Sequence, residues 1–365
     1  MAGDPPRDRT QLGVGVGVGV GVIPGEAPTR QEGRGRPRER KPRTTLESLT
    51  LIGRVVLDRY VIDSPLGAGA TGTVFRGHHR QLGRPVAIKI LHEDFADHPT
   101  MLARFRREAE AAGRLRHPNL TGVLDVGETA DGRSLMIMEL VEGPSLRQIL
   151  DEDAPLPAPR IIALVRHILR GLDHAHAAGL IHRDLKPDNV LVERDAHGEL
   201  PRIVDFGIAA LRTDQAVSHG RLTESGILLG TPLYMSPEQA RGDQVDPRTD
   251  LFALGVILFE MLSGTTPFDG SALEVVVCNM NEDLPWIADR APRAAPKRIE
   301  DLALEGFLRR LAARDLAARL ASAHDALALL DIVEDDPADA AVRLGRMDVT
   351  RAMDIVRLPS HTRRR

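Results

Sequence analysis

The sequence predicts an α+β protein in which a group of β-strands precedes a larger group of helices. Three segments between residues 60 and 91, YVIDSPL, TVFRGHH and PVAIKIL, are rich in β-branched or aromatic residues, which is typical of strands. Glycines between these segments indicate turns that join antiparallel neighbours. Farther along, apolar residues recur at helical spacing between residues 161 and 172, and Gly179 supplies the stop signal of that helix.

Composition and charge exclude several classes of protein. The chain has 365 residues, a net charge of −4 and a single cysteine, Cys278, which can form no intramolecular disulfide and favours a reducing, cytoplasmic setting. The longest apolar runs, residues 12–23 and 251–262, have 12 residues each, whereas a membrane-spanning helix needs about 20. We therefore expect no membrane span.

The first 55 residues are predicted to form a disordered, low-complexity and basic arm. Glycine and valine alternate near its start, and residues 30–43 carry seven basic and two acidic side chains. Proline and glycine interleave these charges, and no aromatic residue joins them. This pattern favours a solvated linker over a nucleic-acid binding segment.

Two glycine-rich stretches could approach a phosphate, and the spacing of their glycines separates them. The pattern G-x-G-x-x-G needs its third glycine five residues after its first, and for Gly13, Gly15, Gly17 and Gly19 of the alternating stretch that position holds valine or proline and never glycine. Gly67, Gly69 and Gly72, followed by Val74, satisfy the pattern. Because predicted strands flank them, they indicate the turn of a hairpin that binds nucleotide phosphates rather than the start of a dinucleotide-binding helix.

A lysine inside the third predicted strand needs an anionic partner. Lys89 lies in the apolar run VAIKIL, and a helix is predicted over residues 101–115 with Glu108 at the centre of its apolar face. Glu110 points to the opposite side of that helix. Because a carboxylate on an apolar face also needs a partner, we expect Lys89 and Glu108 to pair.

A polar loop with strongly apolar flanks follows the predicted helix stop and contains Asp184, Lys186 and Asn189, and Asp205 stands at the end of a short apolar strand after it. Together with Lys89 and the glycine-rich loop, these residues supply what phosphoryl transfer requires. Mg²⁺ prefers hard oxygen ligands, which Asn189 and Asp205 can supply. A hydroxyl group that attacks a phosphate must lose its proton, and Asp184 can accept it. Lys186 can neutralise charge that develops on the transferred group, while Lys89 and the glycine-rich loop can hold the nucleotide phosphates.

With these residues identified, the sequence resembles the eukaryotic-type Ser/Thr protein kinases, and most closely their bacterial branch. The resemblance rests on motifs in the order of that family: GAGATG, VAIK, Glu108, HRDLKPDN, DFG, GTPLYMSPE, DLFALG and Arg319. It implies a bilobal kinase fold, with a small mainly β N-lobe that has one key helix (residues 56–138), a hinge (139–141) and a larger mainly α C-lobe (142–331). It also implies ATP and Mg²⁺ as cofactors, Mn²⁺ being an alternative. The remaining residues, 332–365, are expected to form a disordered tail.

The resemblance assigns further roles by position. Met138 corresponds to the gatekeeper of the nucleotide pocket, and residues 139–141 correspond to the hinge whose backbone binds adenine. Glu238 is expected to pair with Arg319, and Asp250 is expected to brace the catalytic loop from a buried helix. The full set expected at the nucleotide site is Leu66, Gly67, Gly69, Gly72, Val74, Ala87, Lys89, Met138, Glu139, Val141 and Leu191.

The segment between the DFG and SPE motifs is typical of a kinase that acts on peptides and is controlled by phosphorylation. Because Arg183 precedes the catalytic aspartate, the resemblance implies that phosphorylation orders this segment, with Thr223 and Ser225 as candidate sites. Thr231 resembles the residue that marks Ser/Thr-directed members. At position 236 the chain has serine, where the family more often has alanine.

Three functions stay open on the sequence alone. An active kinase would transfer the γ-phosphate of ATP to Ser/Thr hydroxyls of proteins; the alternatives are a pseudokinase scaffold and a small-molecule kinase of the aminoglycoside or choline type. The presence of Lys89, Asp184 and Asp205 argues against the scaffold, and the long activation segment argues against a small-molecule substrate. The expected partners are protein substrates and no specific nucleic acid, with a homodimer through the small lobe as a further alternative.

Overall fold

The computed structural model describes residues 50–69, 71–93, 99–196, 198–206 and 232–347. Residues 50–139 of this part form an antiparallel six-stranded sheet and one helix, α1 (Pro99–Gly113). The order of the strands in the sheet is β1-β2-β3-β4-β6-β5. The strands are β1 (Val55–Val56), β2 (Tyr60–Ala68), β3 (Gly72–His79), β4 (Pro85–Leu91), β5 (Val123–Glu128) and β6 (Ser134–Glu139).

Both faces of this sheet are apolar. Successive side chains of a strand point to opposite faces, and apolar residues occupy successive positions of β4. On β4, Ile88 and Ile90 face a core cluster that includes Phe75, whereas Ala87 and Leu91 face a second cluster that includes Phe105 of α1. Lys89 lies between Ala87 and Leu91 in this alternation, so it projects from the face that α1 covers. The predicted strand at residues 85–91 and the predicted helix that carries Glu108 are both confirmed.

The glycine-rich loop is the turn between β2 and β3, as the predicted strands on either side of it indicate. Gly67 and Val74 are paired across the two strands, and Gly69 donates its backbone N–H to the Gly72 carbonyl at 2.8 Å. A Cβ atom at Gly72 would lie 2.2 Å from the carbonyl oxygen of Ile90 on the neighbouring strand. Only glycine therefore allows β3 to run this close to β4 at the base of the loop.

The larger lobe consists mainly of helices with one added hairpin. The helices are α2 (Leu146–Asp153), α3 (Ala158–Ala177), α4 (Pro237–Arg241), α5 (Arg248–Ser263), α6 (Ala272–Asn281), α7 (Ile287–Arg290), α8 (Ile299–Leu311), α9 (Ala323–Asp335) and α10 (Pro337–Arg343). The hairpin pairs β7 (Val190–Asp195) with β8 (Gly198–Ile203). Short 3₁₀ turns lie at Pro187–Asn189, Pro232–Tyr234 and Pro292–Ala294.

Two of these helices match the sequence expectation closely. Helix α3 has Pro159 in its first turn and ends just before Gly179, which adopts a left-handed φ of 78°. In α5 every residue from Thr249 to Ser263 is buried, so the apolar run at residues 251–262 is a core helix of the C-lobe. Within the described ranges, no helix has both the length and the apolar composition needed to cross a bilayer.

The folded region extends beyond both boundaries predicted from the sequence. Leu51 is buried ahead of the expected start at residue 56, and α9 and α10 continue past the expected end at residue 331. Val333, Ala340 and Ala341 are fully buried in the C-lobe core. The predicted tail boundary is therefore too early, because alanine-rich helices bury small side chains that resemble linker composition.

The residues after α10 add a further contact to the C-lobe. Arg346 stacks over the ring of Trp286 at 4.0 Å and forms an ion pair with the buried carboxylate of Glu305. This contact and the buried alanines of α10 indicate that residues 332–347 are an integral part of the folded domain.

Truncation tests this boundary. We expect a chain that ends at Asp331 to lose about 3 kcal/mol or more of unfolding free energy, because it removes Val333 and the buried alanines and exposes the surface of α8 beneath them. A chain that ends at Met347 is the matched control and keeps the melting temperature of the full chain. Thermal unfolding of the three lengths measures the effect, and equal melting temperatures for all three would contradict the assignment.

Candidate active site

The catalytic loop is attached to the core helix α5 through one buried carboxylate. Asp250 accepts the backbone N–H of His182 at Oδ2 and the backbone N–H of Arg183 at Oδ1, each at 2.8 Å. His176 of α3 donates Nε2–H to Oδ2, also at 2.8 Å, because a carboxylate can only accept. Burial raises the pKa of Asp250, but the His176 hydrogen bond and nearby His182 bring it below its usual value of 3.8. The predicted role of Asp250 as a brace for this loop agrees with these contacts.

His182 links the catalytic loop to the strand that ends at the DFG motif. Its ring is fully buried, donates Nε2–H to the Val204 carbonyl at 2.9 Å and accepts the Asp184 N–H at Nδ1 at 3.2 Å. The rings of His182 and Phe206 pack in a T-shaped arrangement, with 4.7 Å between their centroids and 72° between their planes. These partners require the tautomer with its proton on Nε2.

Two non-glycine residues of the site adopt left-handed backbone conformations. Arg183 has a φ of 66° and Asp205 a φ of 62°. Such conformations cost about 1–3 kcal/mol each in residues that carry a side chain, and the surrounding hydrogen bonds must hold them. Arg183 directly precedes Asp184, the expected base, and Asp205 is itself an expected Mg²⁺ ligand.

Asp184, Lys186 and Asn189 lie close together in the catalytic loop. Lys186 donates from Nζ to Asp184 Oδ2 at 3.1 Å, and Asn189 donates from Nδ2 to the Asp184 carbonyl at 2.8 Å. The Asp184 side chain is about one-third exposed, so an acceptor group can reach its carboxylate from solvent. The backbone N–H of Val204 donates to the Asn189 carbonyl at 2.9 Å, which ties the loop to the DFG strand a second time.

Lys89 and Asp205 form a buried ion pair across the two lobes. Lys89 Nζ lies 2.9 Å from Asp205 Oδ2, and the Lys89 side chain is 6% exposed. Burial raises the pKa of Asp205, but the charge and hydrogen bond of Lys89, with His182 and Lys186, lower it below its usual value. The site therefore places a cation and an ionised carboxylate side by side, as phosphate and metal binding require.

The expected Lys89–Glu108 pair stays a prediction. Lys89 forms an ion pair with Asp205, which lies in the larger lobe. Glu108 lies half-buried on α1, the helix that covers the Lys89 face of the sheet, whereas Glu110 is exposed. The difference in burial between the two glutamates agrees with the helical phase read from the sequence.

An apolar pocket wall lies beside Lys89. Val74, Ala87 and Met138 belong to the cluster on the α1 side of the sheet, and Ala87 is paired directly with Met138 across β4 and β6. The other residues expected here occupy the adjoining strands and the hinge: Leu66, Gly67 and Gly69 are exposed on the loop, Gly72 and Val141 are buried, and Glu139 and Leu191 are half-buried. Adenine contacts of these residues stay a prediction, and Thr223, Ser225 and Thr231 lie outside the described residues.

The donor set fits a hard divalent cation. The Asn189 amide donates from Nδ2 to the Asp184 carbonyl, so its Oδ1 points away from that carbonyl and can act as a hard oxygen ligand, as can the Asp205 carboxylate. Among the described residues, no group of three or more His, Cys, Asp and Glu side chains is placed to hold a metal. Asp205 and Asn189 would therefore hold Mg²⁺ together with phosphate and water oxygens.

The expected Glu238–Arg319 pair is present and is bidentate. Arg319 donates from Nη1 to Glu238 Oε1 at 2.7 Å and from Nη2 to Oε2 at 3.1 Å, and both side chains are buried. Thr249 of α5 also donates to Glu238 Oε1, at 2.8 Å. Burial raises the pKa of Glu238, but Arg319 lowers it below its usual value.

Sequence reasoning missed two histidines of this site. His176 donates to Asp250, whereas His174 stacks on His117. In the sequence, the only notable feature of these two histidines is a spacing that also occurs in metal sites, and residues two positions apart on a helix point in different directions. His92, one residue past β4, bonds the Gly69 carbonyl through Nε2 at 3.0 Å, which ties the nucleotide loop to the strand of Lys89. No motif of the sequence marks either contact, because both partners lie far away along the chain.

The family assignment follows from comparison with known proteins. The family model described as protein kinase domain matches residues 60–329. The chain belongs to the protein kinase family. The PknI kinase domain of Mycobacterium tuberculosis, solved by crystallography, matches this chain with a TM-score of 0.60 and 28% identity, covering 78% of this chain and 99% of the PknI domain. This similarity confirms the expected bilobal α+β fold.

Two bacterial proteins are among the curated relatives of this chain. The serine/threonine-protein kinase pkn3 of Myxococcus xanthus is 40% identical over 287 residues, which cover 78% of this chain and 52% of the relative. The serine/threonine-protein kinase PknL of M. tuberculosis is 42% identical over 229 residues, 62% of this chain and 55% of the relative. The chain thus spans about half the length of these two relatives.

Replacement of Asp250 by asparagine tests the brace of the catalytic loop. Asp250→Asn is expected to lower the unfolding free energy at pH 7 by about 3 kcal/mol, because it removes a buried charge that accepts three hydrogen bonds. The folded pKa is depressed, so the contribution of the anion is present above 3.8 and is lost as the pH falls through the folded pKa. Urea unfolding of both proteins should therefore show a difference that is constant above about pH 5 and shrinks in acid.

The exposed Asp243 provides the control for this substitution, since Asp243→Asn changes the same chemical group at the surface. A stability loss in Asp250→Asn no larger than that of the control would show that the carboxylate is not needed to hold the loop.

Proposed function

We propose that this protein is an ATP-dependent protein serine/threonine kinase, which transfers the γ-phosphate of ATP to Ser/Thr hydroxyls of protein substrates. The observation that carries the proposal is the convergence of four side chains from three separate segments: Lys89 from β4, Asp184 and Asn189 from the catalytic loop, and Asp205 from the DFG motif. The names of the relatives support the Ser/Thr class.

In the proposed reaction each of these side chains has a separate task. Lys89 binds nucleotide phosphate oxygens, and Asp205 and Asn189 hold Mg²⁺. Bound Mg²⁺ neutralises phosphate charge and orients the phosphoryl group. The glycine-rich loop covers the phosphates with backbone amides, since its glycines allow the chain to approach closely.

Asp184 acts as the base in this scheme. The oxygen of the substrate hydroxyl bonds to the γ-phosphorus as its proton passes to the Asp184 carboxylate, and the bond from that phosphorus to the bridging oxygen breaks to release ADP. Lys186, whose Nζ lies 3.1 Å from Asp184 Oδ2, stabilises negative charge on the group in transfer. The hydrogen bonds that hold the Asp184 backbone keep its carboxylate in position for each turnover.

Regulation by phosphorylation of the activation segment is part of the proposal. Arg183 Nε is buried and has no hydrogen-bond partner among the described residues, so a phosphate could complete its contacts. We assign Thr223 and Ser225 as the acceptors.

A cytoplasmic location, which the single Cys278 favours, and a homodimer through the small lobe remain predictions.

Substitution of the proposed base tests the activity. Asp184→Asn is expected to lower kcat for phosphate transfer to a generic basic protein by about 10²- to 10⁴-fold, because the substrate proton then has no acceptor. Lys89→Met should also abolish labelling, while Asp243→Asn keeps it. Equal incorporation of labelled phosphate in wild type, Asp184→Asn and Lys89→Met would contradict the proposal. No incorporation in wild type would favour a pseudokinase scaffold. Transfer to aminoglycosides or choline, but not to protein, would instead indicate a small-molecule kinase.

Phosphopeptide mapping tests the regulatory part. Wild type incubated with ATP and Mg²⁺ should carry phosphate on Thr223, Ser225 or both, whereas Asp184→Asn should carry none. The double variant Thr223→Ala/Ser225→Ala is expected to lose most activity on other proteins, because Arg183 then has no phosphate to bind. Fully active wild type with both positions empty would refute the assignment.

A further inference from the structure

The peptide group that joins Arg183 to Asp184 is held at both of its polar ends. Its carbonyl oxygen, that of Arg183, accepts a hydrogen bond from Gln239 Nε2 at 2.7 Å. Its N–H group, that of Asp184, donates to His182 Nδ1 at 3.2 Å. Rotation of this peptide plane would swing the Asp184 side chain, so the two contacts together fix the direction of the proposed base.

The conformation of Arg183 makes this support necessary. Arg183 has a left-handed φ of 66°, which is unfavourable for a residue with a Cβ atom. Its N–H is held by Asp250 Oδ1 at 2.8 Å, and its carbonyl is held by Gln239. The residue is therefore fixed on one side by the core helix α5 and on the other side by α4.

The side chain of Gln239 is itself fixed by a capping box at the start of α4. Ser236 caps the helix and accepts the Gln239 N–H at 3.3 Å, while the Ser236 backbone N–H donates to Gln239 Oε1 at 3.1 Å. Because the oxygen of the amide faces Ser236, its NH₂ group must face Arg183. The amide orientation thus follows from partners on both sides.

Ser236 extends this network into the core. Its hydroxyl is fully buried and lies 3.2 Å from both Gln239 Oε1 and Thr249 Oγ1. Thr249 precedes Asp250 on α5 and donates to Glu238 Oε1 at 2.8 Å. The serine at position 236 therefore joins the capping box of α4 to the helix that braces the catalytic loop, a contact that alanine could not make.

We propose that Gln239 is a positioning residue for the transfer reaction, with its side-chain amide orienting Asp184 through the carbonyl of Arg183 and Ser236 holding that amide in place. The inference rests on the proposed kinase activity and goes beyond it, since it assigns a role in catalysis to the segment that follows the activation segment. Displacement of the base would lower the rate of the chemical step. It would not change the affinity for the nucleotide, because none of these contacts involves Lys89 or the glycine-rich loop.

Gln239→Glu isolates this contact. Glutamate keeps the size of the side chain and the acceptor oxygen of the capping box, but it places a second oxygen against the Arg183 carbonyl. We expect kcat to fall by about 10- to 100-fold, with the KM for ATP within about twofold of wild type. Ser236→Ala should give a smaller fall in kcat, since the backbone N–H at position 236 is kept and still donates to Gln239 Oε1.

Helix α2 offers the matched control, because Ser145 and Gln148 form the same capping box there: the Ser145 N–H donates to Gln148 Oε1 at 2.8 Å. Gln148 is exposed, so Gln148→Glu makes the identical change away from the catalytic loop and should leave kcat unchanged. A kcat within twofold of wild type in Gln239→Glu would overturn the inference. A loss of kcat that only accompanies a lower melting temperature, and that recovers on cooling, would overturn it as well.

Amide hydrogen exchange of residues 182–186 supplies a readout that does not depend on turnover. Exchange in this segment should be faster in Gln239→Glu than in wild type and unchanged in Gln148→Glu. If wild type transferred no phosphate, the proposed function would fail, while the exchange rates would still decide whether Gln239 positions the loop. Equal exchange rates in Gln239→Glu and wild type would contradict the positioning role.

Discussion

The buried carboxylate of Asp250 is the interaction on which the candidate site depends. It lies in a helix whose side chains are buried almost throughout, and it accepts hydrogen bonds from two consecutive backbone amides and from His176. An unpaired charge in such a place would cost several kcal/mol, so the loop and the carboxylate stabilise each other. The core of the larger lobe thereby sets the backbone path of His182 and Arg183.

Further contacts connect the loop that Asp250 holds to the rest of the site. His182 joins the loop to Val204, and Asp184, the proposed base, lies two residues after His182. Asp205, next to Val204, pairs with Lys89 of the smaller lobe. Lys89 shares its strand with Ile90, against which Gly72 packs at the base of the nucleotide loop. A continuous series of hydrogen bonds and packed strands therefore links the core helix to the loop proposed to hold ATP.

Local pattern made part of this arrangement predictable. The spacing of Gly67, Gly69 and Gly72 predicts the hairpin loop because the flanking residues favour strands, and Gly179 predicts the end of α3 because glycine adopts positive φ without strain. The apolar run of α5 is too short to span a bilayer, and the resemblance to a family implies that it is a buried helix of the core. The pairing of Glu238 with Arg319, separated by 81 positions, was available only through the resemblance to a family.

The remaining contacts could not be predicted because they join polar side chains that lie far apart along the chain. Nothing near His176 indicates that its ring donates to Asp250, and Gln239 can be recognised as a capping residue but not as a donor to Arg183. Helix α10 was missed for a different reason. Its start has the signature of a helix, with Asp336 as N-cap and Pro337 in the first turn, but its small side chains gave too weak an apolar pattern to separate it from a tail.

Scalar coupling across hydrogen bonds, measured by NMR on the isotope-labelled protein, tests the central claim most directly. The account predicts couplings from the carboxyl carbon of Asp250 to the backbone nitrogens of both His182 and Arg183, since both amides donate to that one carboxylate at 2.8 Å. Detectable couplings along the backbone of α5, with none to these two nitrogens, would contradict it.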